Sequence, residues 1–545
     1  MNTSSDPNRS LRVSKFRFHR LWMPLLLVLA AVGAIFAVGV LRPEMDRNLN
    51  RWLTTAIWLL CGLLNVFWFL LFSRVSGKLR LGIAVALVVL GVAASQMVRV
   101  DGVVDGSGLP KLAWSWSGKG TPDLALPAPA SVGVAVAGEG EGDPSVALDG
   151  TVDGSADVPQ FFGALRDGVV RGVEMELVSD WKAAAPKEMW RQPIGAGWSA
   201  FAVVGGRAFT QEQRGAEELV TCYELLTGRL LWSHSDAAHF TQWQGGEGPR
   251  ATPTVVDGRV YSYGATGILN CLEMRTGKLV WSRKVLEEVG SENLEWGTSS
   301  SPLVFDDKVV VTGGSTSGAV LLAFARDSGE PVWKAGSDEA SYASPLLATL
   351  AGRRVILSNN ARSLTFHDPA TGVLVAEHEW GDARWPKASQ PVVMPGDRLF
   401  LSGGYGMGCQ MVQVTAAGEE GKLAVAELWR GLKLKTQFNS ASFGGEFLFG
   451  LDDGRMACID PANGDRLWKE GRFGSGQSLM VNDGLVIIQS EPGPVYLASV
   501  KREGFEELGK LEALSSKTWN HPTLAGRYLL VRNDREVVCY ELPVK

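Results

Sequence analysis

The side chains that could do chemistry in this chain are few and scattered. Its six histidines, His19, His234, His239, His367, His378 and His521, show no spacing that resembles a zinc motif. His234 and His239 stand five apart near Asp236, which reads as a surface loop rather than a ligand pair. Gly403-Gly-Tyr-Gly-Met-Gly408 imitates a phosphate-cradling loop, but with no helix to follow it the segment reads as a turn or bulge. Asp452-Asp453-Gly454 reads as a hairpin turn rather than a carboxylate pair for acid–base work. No catalytic residue, metal ligand or cofactor-binding residue is assigned, so the elements that position these side chains must be read first.

Those elements repeat. Cys222-Tyr-Glu-Leu-Leu-Thr-Gly-Arg-Leu-Leu-Trp232 is followed by Cys271-Leu-Glu-Met-Arg-Thr-Gly-Lys-Leu-Val-Trp281. Ala323 to Trp333, Phe366 to Ala376 and Cys458 to Trp468 carry the same frame. It reads as a strand, a tight turn whose glycine takes positive φ, and a second strand ending in a large anchor. The turn glycines 228, 277, 329, 372 and 464 are separated by 49, 52, 43 and 92 residues, and the last step hides a degenerate unit anchored by Trp429. Another unit lies hidden near residues 495–508. A second hairpin precedes each turn, as in Pro253-Thr-Val-Val-Asp-Gly-Arg-Val-Tyr261. Two hairpins in about 45 residues make one propeller blade.

The eighth unit stops short at Val537-Val-Cys-Tyr-Glu-Leu-Pro-Val-Lys545. Lys187-Glu-Met-Trp190-Arg-Gln, with its orphan Trp, can supply the missing outer strand and close the ring without an exposed edge. The expectation is an all-β, eight-bladed β-propeller over residues 158–545. Its blade-docking anchors would be Trp190, Trp232, Trp281, Trp333, Trp429 and Trp468. Cys222, Cys271, Cys458 and Cys539 fall on one equivalent strand position, as buried small residues do.

The frame resembles the repeat of pyrroloquinoline-quinone (PQQ)-type propellers, and Pro159-Gln-Phe-Phe-Gly-Ala-Leu-Arg-Asp-Gly168 resembles the opening motif of membrane-anchored, BamB-like members. Val158, Phe162 and Ala164 depart from that motif. The resemblance implies docking of each terminal Trp between neighbouring blades. PQQ-dependent dehydrogenases share the propeller, and likeness to them would require a vicinal Cys-Cys pair, a Ca²⁺ site of Glu, Asn and Asp oxygens, and a Trp platform. The chain has no Cys-Cys dipeptide.

Ahead of the repeat, charge divides the chain. Residues 1–120 carry 14 Lys/Arg against 5 Asp/Glu, residues 121–157 carry 7 acids and no base, and the net charge of the whole is −5. An acidic balance gives poor footing for a nucleic-acid partner. Three uncharged apolar runs, 21–41, 52–72 and 81–98, are long enough to cross a bilayer as helices, making residues 1–100 a membrane anchor. Residues 101–157 read as a flexible Pro/Gly-rich acidic linker. Arg9, Arg12, Lys15, Arg17, Arg20, Arg74, Lys78 and Arg80 lie on one side of the spans, against Arg42, Arg47, Arg51, Arg99 and Lys111 on the other. Eight against five places the N-terminus in the cytoplasm of a bacterial inner-membrane protein and the propeller in the periplasm.

Equivalent propeller loops gather around one mouth of the channel. Those leading into each blade bring Arg250, Trp296, Lys387, Asn439, Trp519 and Asn520 to one candidate binding face. The alternative is that these side chains simply hydrogen-bond across the channel mouth. The functional expectation is a non-catalytic scaffold in the cell envelope that binds a protein partner and needs no cofactor. A PQQ-dependent membrane oxidoreductase and the ligand-sensing module of a membrane complex are the alternatives.

Overall fold

A computed structural model describes residues 22–73, 75–118, 124–127, 157–171, 177–178, 180–315, 318–418, 421–481 and 484–545. The basic N-terminal tail, Arg74 and most of the acidic linker lie outside them. Contacts divide the chain into two compact units. One holds the helices with Pro110–Gly118; the other holds the propeller with Gly102–Leu109.

In the first unit, α1 (Trp22–Leu41), α2 (Arg47–Phe72) and α3 (Gly77–Met97) are long and apolar enough to cross a membrane. α2 and α3 begin earlier than the apolar runs, because a helix continues past the hydrocarbon edge into its charged flank. Arg80 in the first turn of α3 illustrates this, donating to the Leu70 carbonyl at 2.8 Å. Residues 101–114 are not the start of a loose linker, because Val98–Val103 and Pro110–Trp114 pair as a two-stranded sheet.

In the second unit, eight sheets follow one another as blades. Blade 1 comprises the strands Ala202–Val204, Arg207–Arg214, Glu217–Glu224 and Leu230–Asp236. Blades 2 to 7 span 254–284, 303–335, 346–379, 392–431, 442–470 and 477–511. Blade 8 takes three strands from 523–541, and its outer strand is Lys187–Pro193, paired antiparallel so that Trp190 opposes Cys539. The ring therefore closes as the orphan Trp implies.

One register recurs in all eight blades. Cys222, Cys271, Met411, Cys458 and Cys539 oppose Trp232, Trp281, Trp429, Trp468 and Trp190, and a bulge follows the inner residue each time. The bulge aims the indole at the next blade. The Nε1–H groups of Trp190, Trp232, Trp281, Trp429 and Trp468 donate to the Leu225, Met274, Arg326, Pro461 and Lys501 carbonyls, at 2.8–3.0 Å. The rings of Trp190, Trp232, Trp281 and Trp429 lie on the next turn glycine: a Cβ on Gly228 would meet Trp190 at 2.6 Å. Glycine is thus required twice over, by its φ of +72° and by the indole above it.

Two blades lack the anchor. Ala376 holds the position in blade 4, and Trp380, 4% exposed, fills the core between blades 4 and 5 while donating to Asn359 Oδ1 at 2.9 Å. Gly509 holds it in blade 7, and Trp181, 5% exposed, packs on that glycine from the segment preceding the ring.

Candidate functional site

The loops entering the inner strands first build a belt. The Ala200 N–H donates to Thr252 Oγ1, Thr252 N–H to Ser301 Oγ, Ser301 N–H to Ser344 Oγ, Ser344 N–H to Gln390 Oε1 and Gln390 N–H to Ser440 Oγ. Each blade thus supplies an acceptor to the backbone of the one before it, at 2.9–3.2 Å. In blades 6 to 8 the bonds run through longer amides. Asn439 donates to the Gly476 carbonyl, Gln477 to Phe438 and Trp519, and Asn520 to Gly197 and Ser199. The buried short polar residues at these repeat positions hold the ring together.

Three of the six expected face residues therefore belong to the wall. Asn439 and Asn520 are buried in this belt. Lys387 is 1% exposed, donates to the Ala361 carbonyl, and is pushed down to about 8 by burial. Arg250 is half-buried; its guanidinium lies 4.5 Å from the centre of the Phe240 ring and donates to the Gly245, Gly246 and Gly248 carbonyls. Trp296 and Trp519 remain half-exposed.

Those two indoles are parts of a longer aromatic strip. The Phe438 and Trp519 ring centres are 5.0 Å apart, and Trp519 and Trp198 are 4.8 Å apart. Trp198 Nε1 donates to the Gly245 carbonyl at 2.5 Å, and a Cβ on Gly245 would meet Trp296 at 3.0 Å. Trp296 in turn lies 5.4 Å from Tyr342. The strip runs through the loops that enter blades 6, 8, 1, 2, 3 and 4. Lys517 Nζ sits 4.2 Å from the centre of the Trp519 ring and Trp519 Nε1 donates to Glu491 at 2.8 Å; Trp243, two residues before Gly245 in the chain, is 52% exposed. The loops holding Trp198, Tyr342 and Phe438 are visible in the repeat; Lys517, Glu491 and Trp243 carry no repeat signal.

Beneath the strip, residues 157–171 run inside the ring. Val158 pairs with Val203 of blade 1, the Pro159 carbonyl accepts from Val255 of blade 2, and Val169–Val170 extend blade 7 as a parallel fifth strand. Arg166, 1% exposed, is the pin. It donates to the Ser301, Pro302 and Pro345 carbonyls, Thr254 Oγ1 and Gln160 Oε1, and burial pushes it down to about 9. Five neutral acceptors solvate the charge in place of water. On the side of blade 8, Phe161 and Phe162 meet the His521 ring at 5.3 and 4.9 Å.

The other chemical candidates resolve into structure. Asp452 ends a strand just before the turn Asp453–Gly454 and is fully buried, held by Lys435, Arg466 and Lys469 at 2.7–3.0 Å. His234 belongs to the outer strand of blade 1 rather than a loop, 3.7 Å from Asp236. Gly403–Gly408 turns between two strands of blade 5. Among the described residues, no group of three or more His, Cys, Asp or Glu could hold a metal ion.

Residues 216–470 match the family model described as outer membrane protein assembly factor BamB. Among solved structures, BamB from Moraxella catarrhalis aligns at 15% identity over 66% of this chain and 100% of its own, with a TM-score of 0.48. A europium-containing methanol dehydrogenase aligns at 11% identity over 72% of this chain and 100% of its own, with a TM-score of 0.43. Quinohemoprotein alcohol dehydrogenase from Comamonas testosteroni aligns at 13% identity over 73% and 82%, with a TM-score of 0.41. No curated protein matches. The domain is a BamB-like PQQ-repeat propeller.

Proposed function

We propose that this BamB-like propeller is a non-catalytic, membrane-anchored scaffold that captures a protein partner in the cell envelope, with the propeller on the periplasmic side of a bacterial inner membrane. The observation that carries the reading is the strip Phe438–Trp519–Trp198, joined through the Gly245 backbone to Trp296 and Tyr342 and drawn from loops of blades far apart in sequence. Half-exposed Trp and Tyr, with Lys517 over Trp198 and Trp519, have the composition from which interfaces draw most of their energy. The channel below is occupied by the chain's own residues 157–171, pinned through Arg166, which supports a role for the face rather than for a ligand held deep in the ring. The family match to an assembly factor supports the same reading.

The test is crosslinking capture from intact membranes with Trp243→Ala, Trp296→Ala and Trp519→Ala combined. Arg250 is left in place because its guanidinium holds loop carbonyls. Each anchor contributes about 2 kcal/mol or more to a typical interface, so capture should fail while the melting temperature changes little. Unchanged capture at unchanged stability moves the binding site elsewhere. Saturable stabilisation by PQQ with Ca²⁺, together with dye-linked alcohol oxidation, overturns the scaffold reading in favour of a dehydrogenase.

A further inference from the structure

We infer that the hairpin following α3 is an interfacial anchor whose Trp114–Trp116 pair lies among the lipid headgroups. The inference rests on the reading that α1 to α3 cross a bilayer. α3 has 21 residues, about 31 Å at 1.5 Å per residue, which matches the hydrocarbon thickness. No slack follows it. The strand Val98–Val103 begins at the next residue, the Ser115 N–H donates to the Met97 carbonyl at 2.8 Å, and Ser115 Oγ donates to the Gln96 carbonyl at 3.0 Å. Arg99 closes the other side by donating to the Ser115, Ser117 and Gly118 carbonyls at 2.8–3.3 Å.

These bonds hold both indoles, which flank Ser115, at the C-terminal end of a membrane span. Their rings are stacked, 5.0 Å apart and 11° from parallel, and are 55% and 68% exposed. Val100 and Leu112 on the same hairpin are 53% and 66% exposed. An apolar cluster of this kind is poorly placed in water, and its backbone and indole N–H groups are poorly placed in hydrocarbon. The headgroup layer accommodates both, which is why Trp concentrates there. Lys111 adds a half-exposed cation 3.9 Å from Asp101, suited to lipid phosphates. Three consecutive spans put the end of α3 on the same side as the start of α2, where Trp52 is 39% exposed and completes the belt.

The test uses the full chain in liposomes of zwitterionic and anionic lipid, with Trp116→Cys labelled by an environment-sensitive nitrobenzoxadiazole dye. All six native cysteines are buried, so the label is selective. Flotation and resistance to carbonate extraction establish insertion independently. The expected result is blue-shifted emission, quenched at least about twofold more by headgroup-level than by mid-chain nitroxide lipids, as an interfacial site requires. Water-like emission in an inserted chain overturns the inference. So does blue-shifted emission that no lipid quencher reaches, because protein then covers the site, and so does quenching only from mid-chain. A chain that fails to insert overturns the membrane reading itself and the inference with it.

Discussion

His521 is the buried titratable group with the clearest pH consequence. Its Nδ1 has no hydrogen-bond partner, Phe161 and Phe162 face it edge-on, and burial pushes its pKa down to about 3. The folded state therefore keeps it neutral while the unfolded chain protonates it near 6.5. Between these values the unfolded state binds more protons, so stability falls as pH drops from 6.5 towards 3, by about 1.4 kcal/mol per pH unit at most. Glu218, raised to about 7 by burial, works the other way: its contribution is lost as pH rises from 4.5 to 7. Comparing wild type with His521→Phe isolates the histidine. The variant should match wild type at pH 8 and keep a higher melting temperature at pH 4.5. Equal losses in both proteins would show that the segment bearing Phe161 and Phe162 does not sense this proton.

The element-scale lesson concerns how blades are joined. An indole on the outer strand covers the glycine of the next turn, and where the repeat omits the indole another part of the chain supplies it. Trp181 on Gly509 is the clearest case. Truncating a buried aromatic costs about 3–5 kcal/mol, so Trp181→Ala should lower the melting temperature about as much as Trp190→Ala, although Trp181 lies outside the repeat. A Cβ on Gly509 would meet Trp181 Cβ at 2.5 Å. Gly509→Ala should therefore destabilise the wild type clearly but add little to Trp181→Ala, since contacting residues are not additive. Full additivity in thermal melts of the solubilised chain would separate the two residues. Removing Lys187–Pro193 should be worse than either, because it strips a whole strand from blade 8.

At the scale of the whole molecule, the proposed orientation rests on the distribution of basic residues about the apolar helices. With eight Lys/Arg on one side against five on the other, the proposed topology has the N-terminus and the α2–α3 loop in the cytoplasm. Reporter enzymes that work only outside the cytoplasm should be active when fused after Val98 and inactive after Phe72; the reverse pattern inverts the topology. That orientation would carry the aromatic strip into the envelope, where the proposed partner has to be.

The repeat frame was legible because its causes are local. A turn needs a glycine with positive φ, an outer strand needs a large anchor, and both needs recur at blade spacing along the chain. For the same reason the incomplete last unit and the orphan Trp190 disclosed the closing strand before any coordinates. The apolar runs disclosed the three helices through their length alone. Only the tertiary structure decided which polar residues face outward. Asn520 and Ser199, or Arg166 and Pro345, meet across more than 170 residues of chain, and nothing in the neighbouring sequence records such a meeting. Burial of Lys387, Asn439 and Asn520, the filling of the channel by residues 157–171 and the placing of Trp181 on Gly509 depend on ring closure. Closure brings distant surfaces together at fixed distances, and a one-dimensional pattern contains no distances.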